Sequence, residues 1–560
     1  MEKIDKNTIN KDISFWILII IVFFSILLTC FYRDLFGMEC RNALFAKEML
    51  NRIKFIPIYL NIPYPDYTPI YFWLEVFFAR LIGKLNTISV VLPSCLSFIG
   101  IITILYFFIK PISKNLALLT AIIFSSFPKI WDASAHATID MLLSFTISMT
   151  LIFLYIFERK RNEFYYSYIY LIIAIIFMII SFFVKGLIGI VLPSTVWNLY
   201  LFFKYKRKCI KRIFYFSLIC LIIALVCQFT ELYIDYIEYG FNFVKQVIAL
   251  QITSRLMKQS NHSLLYYIFV TISCIFPWLL VLIYLILNKT KEVQITKKIN
   301  YIFNNINFTL LETDLLLFGI SWFLAIFIIF ELASCKHSRY IYPAMPGLAI
   351  CLAILIYKLY QHSNKLLIFI KNIALFIIFA PFIPIILRIK TVTLHIDLFI
   401  LCIVIAFICW YLIKFISIRI RPWVYLGFAI IFLMSSFSLL FNTVYSQIQS
   451  GSQFMHCVNN KAENIFHNVD NIYVYVYKIR RDGNGVKLAY YASPDIKLKF
   501  INQNILSKIR PPFILICYKK DSQKLLNILH KKYKTHLLCK GLVHMVAVEG
   551  FLITKGRDNE

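Results

Sequence analysis

One feature limits what this chain can fold into more than any other. Apolar runs of about twenty residues, each able to cross a hydrocarbon core roughly 30 Å thick, recur along most of its 560 residues. The first is 13–32. Others lie at about 87–109, 115–131, 137–157, 165–183, 184–203, 211–231, 264–287, 313–333, 340–360, 366–388, 396–414 and 422–442, thirteen in all. Lipid offers backbone N–H and C=O groups no partners, so such runs are read as helices. Composition agrees: 60% of residues are apolar and 15% charged, against about 25% charged in an ordinary globular domain. Too little polar surface remains to cover a soluble fold, which excludes a soluble enzyme. The net charge of +30 would elsewhere point to nucleic acid. In a polytopic chain, positive charge instead orients the helices from cytoplasmic loops, and no nucleic-acid partner is expected.

A shorter apolar stretch, 69–83, is ambiguous, and loop charge arbitrates. If it lies at the interface, the basic clusters 110–114, 158–163, 204–212 (six basic residues in nine), 288–300 and 414–421 all fall on the side of the N-terminus. If it crosses, the 204–212 and 288–300 clusters move outside, against the positive-inside rule. The expected architecture is therefore an all-α polytopic membrane protein of about 13 transmembrane helices, with the N-terminus cytoplasmic. The first run, behind Lys3, Lys6 and Lys11, reads as an uncleaved helix rather than a signal peptide.

Residues 1–444 form the transmembrane domain, with outer loops 33–86 and 232–263. Residues 445–560 read as a small soluble α/β domain on the outer face. Its expected strands are Ile472–Val476, Lys487–Ala492, Ile496–Ile501, Phe513–Tyr518 and Leu542–Val548, its helix Ser522–Tyr533, and its turns Asp482-Gly483 and Asn484-Gly485. Most cysteines lie in apolar runs and no CxxC pair occurs, so neither a zinc ribbon nor a thioredoxin-like motif is present.

Ionisable residues beside the spans are functional candidates because they are costly there. Glu39, Asp140, Lys185, Arg255, His262, Lys336, His337 and Arg339 come from separated stretches but share the outer face. A transporter or flippase of lipid-linked sugars would more readily place such groups at the midplane, on helices broken near Gly or Pro. Two acids could supply a general base and a stabilising partner, and the cations could clamp a phosphate. Acid and clamp beside lipid suit transfer from a lipid-phosphate donor. The bland readings are a Glu39 surface ion pair with Arg33 or Arg41, a snorkelling Lys185, interfacial His262 and His337, and a turn at 62–69.

At these residues the chain resembles a family. Segments 39–50 (ECRNALFAKEML) and 61–74 (NIPYPDYTPIYFWL), His136–Met141, Val184–Pro193, the Arg255/His262/Tyr266-Tyr267 pattern, Phe276-Pro277-Trp278 and Cys335–Ala349 look like the bacterial aminoarabinose lipid A transferases. These belong with protein mannosyltransferases in the C-type glycosyltransferase superfamily. The resemblance implies an inner-membrane glycosyltransferase. It would move a sugar from a polyprenyl-phosphate donor to lipid A or another envelope glycolipid on the periplasmic side. A protein O-mannosyltransferase is the alternative within the superfamily. It implies catalytic roles for Glu39 and Asp140, and donor-phosphate binding by Lys185, Arg255, Lys336 and Arg339. Asp66 and His262 resemble a metal pair, which would make a divalent metal structural; no nucleotide cofactor is implied. Two departures bear on the sugar: Tyr67 replaces a lysine of the Glu-Lys-Pro-Pro pattern, and Met38 precedes Glu39 where many relatives have Asp-Glu.

Overall fold

The computed structural model describes residues 6–60, 62–161, 164–249, 265–289, 308–360, 400, 402–404, 407, 422–466, 472–506, 508–530 and 533–555. Helix α1 (Lys6–Tyr32) is the first expected run, and the chain then leaves the bundle. Loop 33–86 holds α2 (Glu39–Met49), a two-residue hairpin β1/β2 (Ile58–Tyr59, Ile62–Pro63) and α3 (Ile70–Ile82). At 13 residues, α3 reaches about 20 Å, too short to cross. Next come α4 (Thr87–Ile109), α5 (Lys114–Ser125) and α6 (Pro128–Ser134). The run expected as one span at 115–131 is thus two helices meeting at 71°. Pro128 begins α6, and Phe127 before it is extended, as residues before proline tend to be.

Helices α7 (Ile139–Arg159), α8 (Phe164–Lys185), α9 (Ile188–Tyr205), α10 (Ile210–Tyr239), α11 (Phe241–Ile248), α12 (Tyr266–Lys289), α13 (Leu310–Leu332), α14 (Met345–Tyr360) and α15 (Pro422–Gln449) complete the helical part. Among the described residues eight helical stretches are long and apolar enough to cross a membrane, nine if α5 and α6 count as one broken span. One of the eight, Ile188–Tyr239, contains both α9 and α10. The run 366–388 and most of 396–414 lie outside the described residues. Aromatic and aliphatic side chains such as Phe24, Phe214, Phe229 and Phe269 are exposed, as lipid-facing surfaces require. This is a multi-pass membrane protein.

Two glycines shape the α8–α9 corner. Gly186 has φ +70, a left-handed value that ends α8 at Lys185 without a Cβ penalty. At Gly189 a Cβ would meet the Ser181 backbone at 2.3 Å, so only glycine lets the helices approach this closely.

Helix α15 runs past 444 to Gln449, and Gly451 then turns the chain into α16 (Ser452–Ile465). A five-stranded sheet with two flanking helices follows: β3 (Ile472–Tyr477), α17 (Asn484–Tyr491), β4 (Ile496–Ile501), β5 (Phe513–Tyr518), α18 (Lys519–Leu529), β6 (Tyr533–Val543) and β7 (Val546–Lys555). The strand order is β4-β3-β5-β7-β6, with β3 parallel to β4 and β5 and the other pairs antiparallel. Two expectations are corrected here. Lys487–Ala492 is not a strand: all but its last residue lies in α17, which packs against α2 and buries Val486, Lys487, Leu488 and Ala489. Leu542–Val548 is not one strand but the hairpin turn between β6 and β7, with His544 and Met545 at positive φ. The sequence reading also missed a disulfide, Cys457–Cys539, joining α16 to β6.

Candidate functional site

The site grows from the first turn of α2. Glu39, 3% exposed, accepts from Arg33 Nη1 at 2.7 Å and Nη2 at 2.8 Å, from the Ala137 amide at 2.9 Å and from the Phe36 amide at 3.3 Å. Arg33 also donates to the Ala135 carbonyl at 2.6 Å, and Asn42 Nδ2 to the Ala137 carbonyl at 2.9 Å. The Thr138 amide donates to Ser94 Oγ of α4 at 2.9 Å. The result is a rigid staple across residues 135–138, immediately before α7. Burial opposes the Glu39 charge, but Arg33 prevails and holds the carboxyl below its usual range. The partner is Arg33, buried, rather than a surface pair; Arg41 instead donates to the Asp482 carbonyl at 3.3 Å.

Asp140, in the first turn of α7, is also buried, but its partners are two cations that keep part of their side chains exposed. Lys185, at the end of α8, pairs with Oδ1, and Arg339 Nε approaches Oδ2 at 3.5 Å. Lys185 Nζ lies 4.7 Å from the centre of the Tyr340 ring, and Tyr67 is within electrostatic reach of Arg339. Three of the predicted residues, Asp140, Lys185 and Arg339, therefore come together. Arg339 keeps 37% of its side chain exposed, so the cluster has an open side.

Lys336 belongs to a neighbouring cluster. It is 4% exposed and donates to Glu331 Oε1 at 2.9 Å. The Glu331 Oε2 atom accepts from the Tyr267 amide at 3.1 Å, and the Tyr267 hydroxyl donates to the His337 carbonyl at 3.0 Å. This network ties the 334–340 turn to the start of α12. Asp66 is half-buried in the turn before α3. Arg255 and His262 lie outside the described residues. Among the described residues no group of three or more His, Cys, Asp or Glu side chains could hold a metal ion.

Sequence reasoning missed Glu75. This α3 side chain is fully buried, and neither carboxylate oxygen has a hydrogen-bond partner. Burial first and the Glu39 charge second push it well above the usual carboxylate range. Its place in an apolar-looking helix was a signal that could have been read. Arg33 was named as a possible partner of Glu39 but expected at the surface, whereas it is buried; Glu331 was missed as the partner of Lys336.

With this geometry in place, comparison with known proteins is informative. The dolichyl-phosphate-mannose-protein mannosyltransferase family profile matches residues 66–233. An undecaprenyl phosphate-α-4-amino-4-deoxy-L-arabinose arabinosyl transferase from Wigglesworthia glossinidia brevipalpis is 31% identical over 202 residues. That match spans 35% of this chain and 35% of the relative. The crystal structure of ArnT from Cupriavidus metallidurans bound to undecaprenyl phosphate superposes with a TM-score of 0.72 at 16% identity, covering 96% of this chain and 97% of that one. Its fold is that of the C-type glycosyltransferases. The apo structure of the same enzyme gives 0.69, covering 97% and 98%. The C-type fold extends over nearly the whole chain, including the small sheet domain, which lies beyond the matching motifs.

Proposed function

We propose that this chain is an inner-membrane glycosyltransferase that takes a sugar from a polyprenyl-phosphate donor and delivers it to lipid A or another envelope glycolipid on the periplasmic face. The observation that carries this reading is the Asp140–Lys185–Arg339 cluster, a buried acid under two cations at one end of a C-type bundle. In the absence of donor, the acid neutralises the cations. A lipid phosphate arriving at Lys185 and Arg339 takes over that pairing, with Arg offering bidentate geometry. Asp140 is then released to accept a proton from the acceptor hydroxyl, while the cations stabilise charge on the departing phosphate. Arg255 and Lys336 extend the phosphate clamp in this reading.

Glu39 takes the second role. A carboxylate already accepting four hydrogen bonds is a poor base, so it acts through position, fixing residues 135–138 and hence the start of α7. Asp66 and His262 as a structural metal pair remain part of the proposal, with no chemical step passing through them. The boundary between membrane and soluble parts falls at the end of α15, with the sheet domain outside. A disulfide within that domain supports the outside placement, since disulfides persist in oxidising compartments. The mannosyltransferase profile over 66–233 favours a second reading, transfer to a protein acceptor. Purified protein incubated with a polyprenyl-phosphate sugar and either lipid A or a peptide acceptor tests both. Sugar on lipid A supports the first and sugar on peptide the second; transfer to neither, repeated with a total envelope-lipid extract as acceptor, contradicts both.

A further inference from the structure

A cavity lies at the junction of α2 and the edge strand β4. It encloses about 1000 Å³. Lys47, Arg481, Lys497, Lys499 and Lys508 line it, against a single acid, Glu48. Tyr473 and Tyr475 line it too, and strand register places them beside Lys497 and Lys499 on one face of the sheet. Lys499 Nζ sits 3.8 Å from the centre of the Tyr473 ring. Lys497, Lys499 and Lys508 are exposed, and Arg481 Nε is buried without a hydrogen-bond partner.

The walls are tied together. Lys47 Nζ donates to the Tyr490 and Ala492 carbonyls at 2.9 and 2.8 Å, the Tyr59 hydroxyl to the Arg481 carbonyl at 2.8 Å, and Arg481 Nη2 to the Leu60 carbonyl at 2.9 Å. The cleft is therefore a junction of fixed shape. Helix α2 also connects it to the candidate site. Glu39 opens that helix and Lys47 lies eight residues on, an axial separation of about 12 Å. Excess cations select an anion, and the tyrosine rings add apolar faces with polar edges suited to a sugar ring.

We propose that this cleft docks the anionic headgroup of the acceptor, a phosphorylated saccharide carried on a lipid. The proposal rests on the transferase reading for the word acceptor, but the binding site stands on the cleft alone. An acidic peptide added along the β4 edge is the competing occupant; the volume and the tyrosine faces favour the saccharide.

The test uses the full chain in lipid nanodiscs, titrated with diphosphoryl lipid A and with its dephosphorylated form. The double substitution Lys497→Glu/Lys499→Glu changes two exposed side chains on the edge strand, and Lys508→Glu gives an independent second variant. Expected is at least tenfold weaker binding of diphosphoryl lipid A in the double variant, a smaller loss in Lys508→Glu, and unchanged binding of polyprenyl phosphate. Equal binding of the two lipid forms, wild-type affinity in both variants, or displacement of the lipid by an acidic peptide would overturn the proposal. If lipid binding behaves as expected but no sugar is transferred, the transferase reading falls and the docking site stands. If transfer proceeds while charge reversal leaves lipid binding intact, the reverse holds.

Discussion

Asp140 and Glu39 are both buried acids, satisfied in different ways. Lys185 and Arg339 can exchange Asp140 for a phosphate, whereas Glu39 is enclosed by Arg33 and two backbone amides. Asp140→Asn is expected to lower transfer by about 10²–10⁴-fold, the usual contribution of a general base, with expression and insertion normal. Arg33→Ala should act on stability, costing about 3–5 kcal/mol because it strands a buried charge, and thermal unfolding in detergent measures it. Glu75 offers a pH test. Its carboxyl is raised in the folded state, so folding keeps a proton that the unfolded chain releases above about pH 4.3. Stability is then fullest below that pH and declines as pH rises toward the folded-state value. Glu75→Gln should therefore raise the melting temperature at pH 7.5 and leave it nearly unchanged at pH 4.5; equal shifts at both would contradict the assignment. Asp140 and Lys185 were legible because ionisable residues are rare beside spans. Arg33 was legible as a partner of Glu39 but not as a buried one, since only the return of 135–137 to α2 covers it.

Among the elements, the α8–α9 corner and the disulfide carry the sharpest expectations. Gly189→Leu should prevent the two helices from closing and displace Lys185, seen as loss of both folded yield and activity. Cys457→Ser removes a cross-link between residues 82 apart and should cost about 2–4 kcal/mol, read as faster proteolysis of the sheet domain. Helix existence was legible from apolar run length, and the 13 residues of α3 agree with a stretch that does not cross. Element type was less legible in short runs. The six residues 487–492 fit either period, and only packing of α17 against α2 decides for helix. The bend at Phe127–Pro128 had a signal in the sequence, Pro128 after Ser125 and Ser126, which the length of the run outweighed. Nothing in the spacing of Cys457 and Cys539 announces their pairing, which depends on β6 returning over α16.

For the molecule as a whole, charge and fold point the same way. Basic clusters at 204–212 and 158–163 lie at one end of their helices, while Asp140, Lys185 and Arg339 gather at the other. An alkaline phosphatase fused after residue 560 should be active in cells, and a fusion at 206 inactive; the opposite pattern would invert the topology. The central claim is that the Asp140 cluster transfers a sugar to an envelope lipid. Mass spectrometry of envelope lipids from cells carrying the wild-type chain, Asp140→Asn or no copy measures it most directly. A lipid species heavier by one sugar residue is expected with wild type and absent from the other two. Identical lipid masses in all three would contradict it.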